Sequence, residues 1–270
     1  MSAPASGAEH ERAARSGLST VPEFSELTLH LDAPIATITL NRPQAMNAIT
    51  PTMLAELEEA FELAAAADDV PVIILTGAGR AFSAGVDLKS LRGAPLTGGA
   101  VGELLDGPAR RVIHRIRHLD AVVIAKVNGY CFTGALEIAL ACDVIICADE
   151  AVFGDTHAKW GLRPSWGMSQ RLPGAVGLAR ARLLSYTATT FSGVDAATWG
   201  LATLSCPRHD LDETVAGVAR QIAANSAGAL TAYKDLYRQA DDARTTAGLE
   251  YEAAARYDIS DTEQRVAGFR

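Results

Sequence analysis

The stretch AVVIAKVNGYCFTGALEIALACDVIICAD, residues 121–149, decides the fold. It contains two short apolar segments, 121–129 and 143–149, on either side of a helical stretch, 134–142. Short apolar runs bounded by turn residues are typical of buried strands. Buried strands that alternate with helices indicate an α/β protein with a largely covered sheet.

The same reading extends toward the N-terminus. VPVIILTG (70–77) is a third apolar run that ends in glycine, so it is predicted to be another buried strand. LTLHL (27–31) and IATITL (35–40) alternate with the two-residue period of a strand and are separated by a short turn. These two segments predict a β-hairpin.

Helices are predicted from capping residues and from apolar spacing. Thr50-Pro51 combines a hydroxyl cap with proline at the first helical position, and apolar residues follow at helical spacing. A second helix is predicted over 108–118, and the chain from about residue 175 onward is mostly helical. RGAPLTGGAVGELLDG (92–107) has no period and is rich in glycine, which indicates a loop: either a mobile loop over a binding site or a plain surface loop.

Composition excludes several classes of protein. With 49% hydrophobic and 21% charged residues, the 270-residue chain is an ordinary globular protein. Its formal net charge of −8 argues against a nucleic-acid-binding or anionic-membrane surface. No apolar run approaches the ~20 residues that cross a bilayer. Residues 1–20 lack a hydrophobic signal core and are predicted to be a flexible leader. The four cysteines show no Cys-x-x-Cys spacing, which favours a reduced, cytoplasmic environment.

The segment TGAGRAFSAGVDLKSL (76–91) is the first candidate for chemistry. Its small residues let a ligand approach the backbone closely. Phe82 replaces the third glycine of a dinucleotide fingerprint, and a phosphate loop's Gly-Lys-Ser/Thr is absent. AFSAG resembles a nucleophile elbow, which leaves open a hydrolase with Ser83 as nucleophile and His157 or His209 as base.

The segment NGYCFTGALEIALACD (128–143) contains a glutamate in an otherwise apolar helix. Gly134 begins this helix, and free N–H groups at a helix start suit a developing negative charge. The neighbours of Glu137 are apolar or small on nearly all sides. Because a carboxylate is costly to bury, Glu137 is interpreted as a working group, the alternative being a solvent-exposed helix face.

His114 and His118 stand four residues apart, a spacing that places two ligands on one helix face. The glutamate of His-Glu-x-x-His is missing, and the neighbouring arginines disfavour a cation. We therefore expect a solvated helix face and predict no metal site.

Together these segments resemble the crotonase (enoyl-CoA hydratase/isomerase) superfamily. The resemblance begins at ITLNRPQAMNAIT (38–50) and runs through 76–91 and 128–143 to FGDTHAKWGLRPSWGMSQRL (153–172). It covers roughly residues 25–260, and the order and spacing of several motifs make it specific.

The resemblance implies a spiral of ββα repeats followed by a helical C-terminal region used for trimerisation. The chain is accordingly divided into a leader (1–20), a spiral acyl-CoA-binding core (21–205) and a helical C-terminal region (206–270). A homotrimer or a dimer of trimers is expected, acting in the cytoplasm in fatty-acid metabolism of the β-oxidation type.

Members of this superfamily bind acyl-CoA thioesters and hold the thioester oxygen with two backbone N–H groups while an enolate forms. The resemblance places this oxyanion hole at Val86 and Gly134, and one such donor is typically worth ~2.7–4 kcal/mol. The residues expected to contact the substrate are Ala84, Val86, Asp87, Leu88, Lys89 and Gly134. No cofactor is expected, because coenzyme A arrives as part of the substrate.

The hydratases of this superfamily use two glutamates around one water molecule. The first matches Glu137, which is expected to orient or deprotonate the water, whereas the second, an acid, matches His157. Three interpretations of His157 are open: it replaces the acid, it only shapes the pocket while Asp155 or water is the acid, or hydration is lost. Its ordinary pKa of ~6.5 suits proton transfer.

The activity expected from the resemblance is the addition of water to a 2,3-enoyl-CoA. An acyl-CoA-binding protein with little hydratase activity and an enoyl-CoA isomerase are the alternatives. Thr133, where hydratases commonly carry glycine, is expected to narrow the acyl pocket. Trp160 and Trp166 border this pocket or belong to the core.

Overall fold

The computed structural model describes residues 22–91, 98–257 and 259–268, so the predicted leader lies outside the described residues. The strands are Leu27–Asp32 (β1), Ile35–Leu40 (β2), Val72–Gly77 (β3), Ala81–Ser83 (β4), Val122–Val127 (β5), Tyr130–Phe132 (β6), Val144–Ala148 (β7), Val152–Gly154 (β8), Phe191–Ser192 (β9) and Leu204–Cys206 (β10). The α-helices are Pro51–Ala66 (α1), Glu103–His118 (α2), Gly134–Ala139 (α3), Met168–Val176 (α4), Leu178–Thr187 (α5), Gly193–Thr198 (α6), Leu211–Ala223 (α7), Ala227–Ala254 (α8) and Thr262–Ala267 (α9).

The strands form two sheets. The larger has the order β1-β2-β3-β5-β7-β10, and its strands are parallel except for β1, which forms the predicted hairpin with β2. The smaller has the order β4-β6-β8-β9, with β9 antiparallel to β8. Every residue of β3 is buried, as the continuous apolar run predicts for a covered parallel strand.

The two sheets are built from one repeated unit. In the pairs β3/β4, β5/β6 and β7/β8, the first strand joins the larger sheet and the second joins the smaller sheet. The next α-helix after these pairs is α2, α3 and α4 in turn. The described chain therefore follows a spiral of ββα units, which is the α/β architecture that the resemblance implies.

Helix α1 begins as predicted. The Thr50 hydroxyl accepts a hydrogen bond from the Met53 N–H at 3.0 Å, and Pro51 occupies the first helical position. The apolar positions expected to face the core are buried: Leu54, Leu57, Phe61 and Ala64.

Two predicted boundaries were wrong. Helix α2 begins at Glu103, not at 108, so residues 103–107 of the predicted loop are helical; residues 92–97 of that loop lie outside the described residues. Pro108 lacks a main-chain N–H and therefore interrupts the helical sequence pattern. Leu105, which precedes it, extends the buried face of α2 toward the N-terminus. The packing of this face outweighs the main-chain hydrogen bond that proline cannot make. Helix α3 ends at Ala139, not at 142 as predicted. The chain continues in tighter turns, in which Cys142 N–H donates to Ala139 O at 3.1 Å.

The C-terminal helices pack back onto the spiral. The ammonium group of Lys234 in α8 donates to the carbonyls of Ile116 (2.9 Å) and Ala121 (2.7 Å) and lies 2.7 Å from a carboxylate oxygen of Asp143. Buried charges persist when they are paired and hydrogen-bonded in this way. None of the helices in the described ranges has the length and apolar character of a membrane span.

We predict that Thr50→Ala lowers the free energy of unfolding by about 1 kcal/mol, because the first turn of α1 loses its cap. Denaturant titration measures this loss. Thr52→Ala is the matched control, since Thr52 is exposed in the same turn. Equal stability of the Thr50 variant and the wild type would contradict the prediction.

Candidate active site

The turn that carries Val86 is held by the segment that precedes α1. Ile49 N–H donates to Gly85 O at 2.8 Å, and Asp87 N–H donates to Ile49 O at 2.9 Å. The Arg42 guanidinium donates to a carboxylate oxygen of Asp87 at 3.2 Å. The side chain of Asp87 thus ties this turn to the end of β2.

Asn47 organises the same region, and the sequence analysis assigned it no role. It is fully buried with a left-handed backbone (φ 54°), a conformation that asparagine tolerates better than most residues. Its side chain accepts from Arg42 N–H (2.9 Å) and donates to the carbonyls of Ala78 (2.9 Å) and Ala81 (2.8 Å). Asn47 therefore joins the ends of β2, β3 and β4.

The turns before Val86 and Gly134 are in contact. Gly85 has φ 85°, and a Cβ atom there would lie 2.1 Å from the Thr133 hydroxyl oxygen and 2.6 Å from Phe132 O. Only glycine allows this approach. Within the described ranges, neither Val86 N–H nor Gly134 N–H donates to a protein acceptor. In the part of the chain that the structure describes, the two amides predicted as an oxyanion hole thus flank touching turns and have no protein acceptor.

A cavity of about 550 Å³ opens beside these turns. His157, Thr133 and Trp160 contribute to its wall. Five of the residues predicted to contact the substrate also line it: Ala84, Val86, Asp87, Leu88 and Lys89.

Among the described residues that line this cavity, Gly134 and Glu137 are absent. The ring of Trp166 lies against Gly134, where a Cβ atom would approach a ring carbon to 2.4 Å. Trp166 is buried. The structure therefore brings Val86 and His157 to the cavity and leaves Gly134 and Glu137 behind it.

Glu137 is buried, with 1% of its surface exposed, as its apolar neighbours indicated. Its Oε1 accepts hydrogen bonds from Trp166 N–H and Met168 N–H, both at 2.9 Å. Burial raises the pKa of Glu137 to about 7; His157 and the two amides lower the pKa, and Glu252 raises it. This carboxyl group therefore exchanges a proton near neutral pH.

His157 connects Glu137 to the cavity. Its Nε2 lies 3.6 Å from Glu137 Oε2, and its Nδ1 lies 2.7 Å from Asp155 Oδ1. Burial alone would lower the pKa of His157, but the hydrogen bond with Asp155 and the charge of Glu137 raise the pKa above its ordinary value. His157 thus stands in a buried acidic environment that favours imidazolium.

Asp155 lies on the far side of His157 from Glu137. Its Oδ2 accepts from the Ser185 hydroxyl at 2.6 Å. Burial raises the pKa of Asp155, but the hydrogen bonds from His157 and Ser185 have the larger combined effect and hold this pKa below its usual range. An ionised carboxylate cannot donate a proton, so the geometry argues against Asp155 as the acid.

The loop that supplies amides to Glu137 is held by two buried carboxylates that the sequence analysis missed. Asp106 of α2 accepts from the Trp166 indole N–H (2.8 Å) and the Ser165 hydroxyl (2.7 Å). Glu252 of α8 accepts from Gly167 N–H (2.7 Å) and from the N–H (3.1 Å) and hydroxyl of Ser169. The sequence around Asp106 and Glu252 is typical of amphipathic helices. It contains no local pattern that predicts their contacts with the loop.

The structure separates the residues of the hydrolase alternative. Ser83 is fully buried, and its hydroxyl oxygen accepts from Gly85 N–H at 3.1 Å. The exposed ring of His209 lies 3.4 Å from its neighbour Asp210, and His157 pairs with Asp155 and Glu137. Among the residues that the structure describes, no serine–histidine pair therefore supports a nucleophile at Ser83.

The rings of His114 and His118 stack with centroids 3.8 Å apart. Among the described residues, no cluster of three or more His, Cys, Asp or Glu side chains is arranged to hold a metal ion.

Comparisons with known proteins agree with this architecture. A family model described as enoyl-CoA hydratase/isomerase matches residues 30–270. A probable enoyl-CoA hydratase of Mycobacterium bovis is 32% identical over 245 residues, or 91% of this chain and 93% of that protein. A probable peroxisomal enoyl-CoA hydratase of Arabidopsis thaliana is 38% identical over 153 residues, or 57% of this chain and 56% of that protein. A crystal structure of an enoyl-CoA hydratase from Mycobacterium avium is 39% identical, with a TM-score of 0.75 over 86% of this chain and 96% of that one.

The raised pKa of Glu137 predicts a pH-dependent stability. An acid whose folded pKa rises from 4.5 to about 7 contributes stability that is complete below pH 4.5 and is lost as the pH rises through 7. The loss amounts to about 3 kcal/mol over the whole window. Relative to the wild type, Glu137→Gln should therefore become more stable as the pH rises across this window.

Urea denaturation at several pH values measures this difference. Glu59→Gln, on the exposed face of α1, is the matched control and should show no such trend. A difference between Glu137→Gln and wild type that does not vary with pH would mean that Glu137 titrates normally.

Proposed function

Since this chain belongs to the enoyl-CoA hydratase/isomerase family, we propose that it adds water across the double bond of a 2,3-enoyl-CoA thioester. The observation that carries the proposal is the buried pair of Glu137 and His157, in which Glu137 Oε2 lies 3.6 Å from His157 Nε2. His157 and Val86 line the same cavity. Hydration needs an acid–base pair and hydrogen-bond donors for the thioester oxygen. This chain supplies candidates for both.

The N–H groups of Val86 and Gly134 are assigned to the thioester oxygen. Attack of water on C3 moves negative charge onto that oxygen, and preorganised donors stabilise it most effectively where water is excluded. The contact between Gly85 and Thr133 brings the two turns together before the substrate binds. This contact between the two turns supports the assignment of both donors to one thioester oxygen.

Proton transfer is assigned to the Glu137–His157 pair. Glu137 accepts a proton from the water as its oxygen bonds to C3, and His157 donates a proton to C2 as the enolate collapses. Glu137 gains one proton and His157 loses one. Transfer of a proton from Glu137 to His157 then restores the starting state of the pair. Burial raises the pKa of Glu137 to about 7, and the neighbouring carboxylates raise the pKa of His157 above its ordinary value, which favours the imidazolium that donates the proton.

The cavity suits the anionic coenzyme A portion of the substrate. Its described wall carries more basic than acidic side chains: Arg42, Arg80, Lys89 and Lys159 against Asp87. Phosphate groups are favoured by such a balance of charge.

Acyl-CoA binding with little turnover is a second candidate function, and one observation favours it. Gly134 and Glu137 lie behind the cavity wall, with the Trp166 ring against Gly134. Turnover requires the bound substrate to reach both residues. A binding protein has no such requirement.

The cellular setting and the assembly are proposed from the resemblance to the family. We propose a homotrimer or a dimer of trimers that acts in the cytoplasm in fatty-acid β-oxidation. Exposed Tyr233, Leu236 and Tyr237 on α8 support self-association through the C-terminal region, since apolar side chains grouped on a surface mark contact sites. Analytical ultracentrifugation tests the assembly, and a monomer at micromolar concentration would contradict it.

We predict that the purified protein consumes crotonyl-CoA, seen as loss of the enoyl thioester absorbance, and that Glu137→Gln lowers kcat by ~10²–10⁴-fold. Glutamine keeps the size of the side chain but cannot accept the proton. Glu59→Gln should retain wild-type kcat, since Glu59 is exposed on α1.

Other outcomes separate the rivals. Binding of crotonyl-CoA without loss of the enoyl group, across a series of chain lengths, would support the binding protein and end the hydratase proposal. Turnover of 3-enoyl-CoA alone would support an isomerase. Ser83→Ala should leave hydration largely intact, and loss of a thioesterase activity in this variant would support the hydrolase.

A further inference from the structure

We propose that Asp155 is a positioning residue, which holds the His157 ring so that Nε2 faces the reacting atoms. This inference rests on the proposed hydration. Asp155 acts through His157 and does not touch the substrate.

The hydrogen bonds of Asp155 leave His157 little freedom. Asp155 Oδ1 accepts from His157 Nδ1 at 2.7 Å and from His157 main-chain N–H at 3.3 Å, and Oδ2 accepts from the Ser185 hydroxyl at 2.6 Å. An ionised carboxylate only accepts hydrogen bonds, so Nδ1 carries the proton in this contact. The ring atom left for proton transfer is Nε2, on the side of Glu137.

The cavities place Asp155 behind the histidine. His157 lines the cavity of about 550 Å³ that contains Val86, and it also lines a second cavity of about 370 Å³. Asp155 and Ser185 line only the second cavity. A substrate in the first cavity therefore meets His157 and not Asp155.

The charges around His157 come from several elements. Asp155 stands in the same loop, Glu137 comes from α3 and Glu252 from α8. Arg163 and Arg182 line the second cavity, and Lys159 lines the first. Burial lowers the pKa of His157, and the hydrogen bond with Asp155 is the largest contribution that opposes this effect. Without the Asp155 carboxylate, imidazolium should be lost at a lower pH.

The decisive variant is Asp155→Asn, which preserves size and removes the charge. The expected result is a fall in kcat of ~10²–10⁴-fold with KM changed little, because a general acid contributes about that factor. The basic limb of the kcat–pH profile should move to lower pH. Asp68→Asn, at an exposed position after α1, is the matched control.

Ser185→Ala tests the same chain of hydrogen bonds more gently and keeps the experiment interpretable if Asp155→Asn folds poorly. It should lower kcat less and move the basic limb the opposite way, to higher pH, because a carboxylate that loses the Ser185 donor is a stronger acceptor for His157 Nδ1. A loss of kcat or stability in both variants with an unmoved basic limb would reduce Asp155 to a structural residue and overturn the inference.

NMR titration of the His157 ring separates this inference from the proposed function. If the wild-type protein hydrates no enoyl-CoA, the proposed function fails. The ring titration of the ligand-free protein still tests the role of Asp155, since Asp155→Asn should lower the pKa of His157. An unchanged titration would overturn the inference whatever the activity.

Discussion

The two hydrogen bonds from the main-chain amides of Trp166 and Met168 to Glu137 Oε1 are the interaction on which the candidate site depends. They stabilise an acidic side chain in a helix that is otherwise apolar, where burial without partners would cost several kcal/mol. They also occupy one carboxylate oxygen and leave Oε2 beside His157. The loop thus opposes part of the rise in the pKa of Glu137 that burial causes, and it sets the direction in which Glu137 exchanges a proton.

That loop is held in turn by parts of the chain that are distant in sequence. Asp106 fixes the indole of Trp166 from α2, and Glu252 binds the amides of residues 167 and 169 from α8. Helix α8 therefore contributes directly to the environment of the acid–base pair. A change in the packing of α8 would move this loop and so alter the hydrogen bonds that Glu137 accepts, because buried carboxylates and their amide donors must be satisfied together.

Much of the fold is predictable from local pattern. The continuous apolar runs became the parallel strands β3, β5 and β7, and Thr50-Pro51 became the start of α1. The start of α2 was predicted five residues late, because Pro108 is a strong local signal and the packing of Leu105 is a tertiary one. The repeated ββα unit leaves no visible tandem repeat in the sequence, since each strand needs only apolar residues of suitable length to join its sheet.

The sequence alone determined the α/β class and the presence of histidine where the resemblance leads one to expect an acid, and it favoured the burial of Glu137. These properties follow from the order of residue types along the chain. Only the tertiary structure decided that His157 lies between Asp155 and Glu137, that Trp166 covers Gly134, and that α2 and α8 hold the intervening loop. The reason is physical: the hydrogen bonds that hold this loop join residues up to 85 positions apart and depend on how strands and helices pack, which no local pattern specifies.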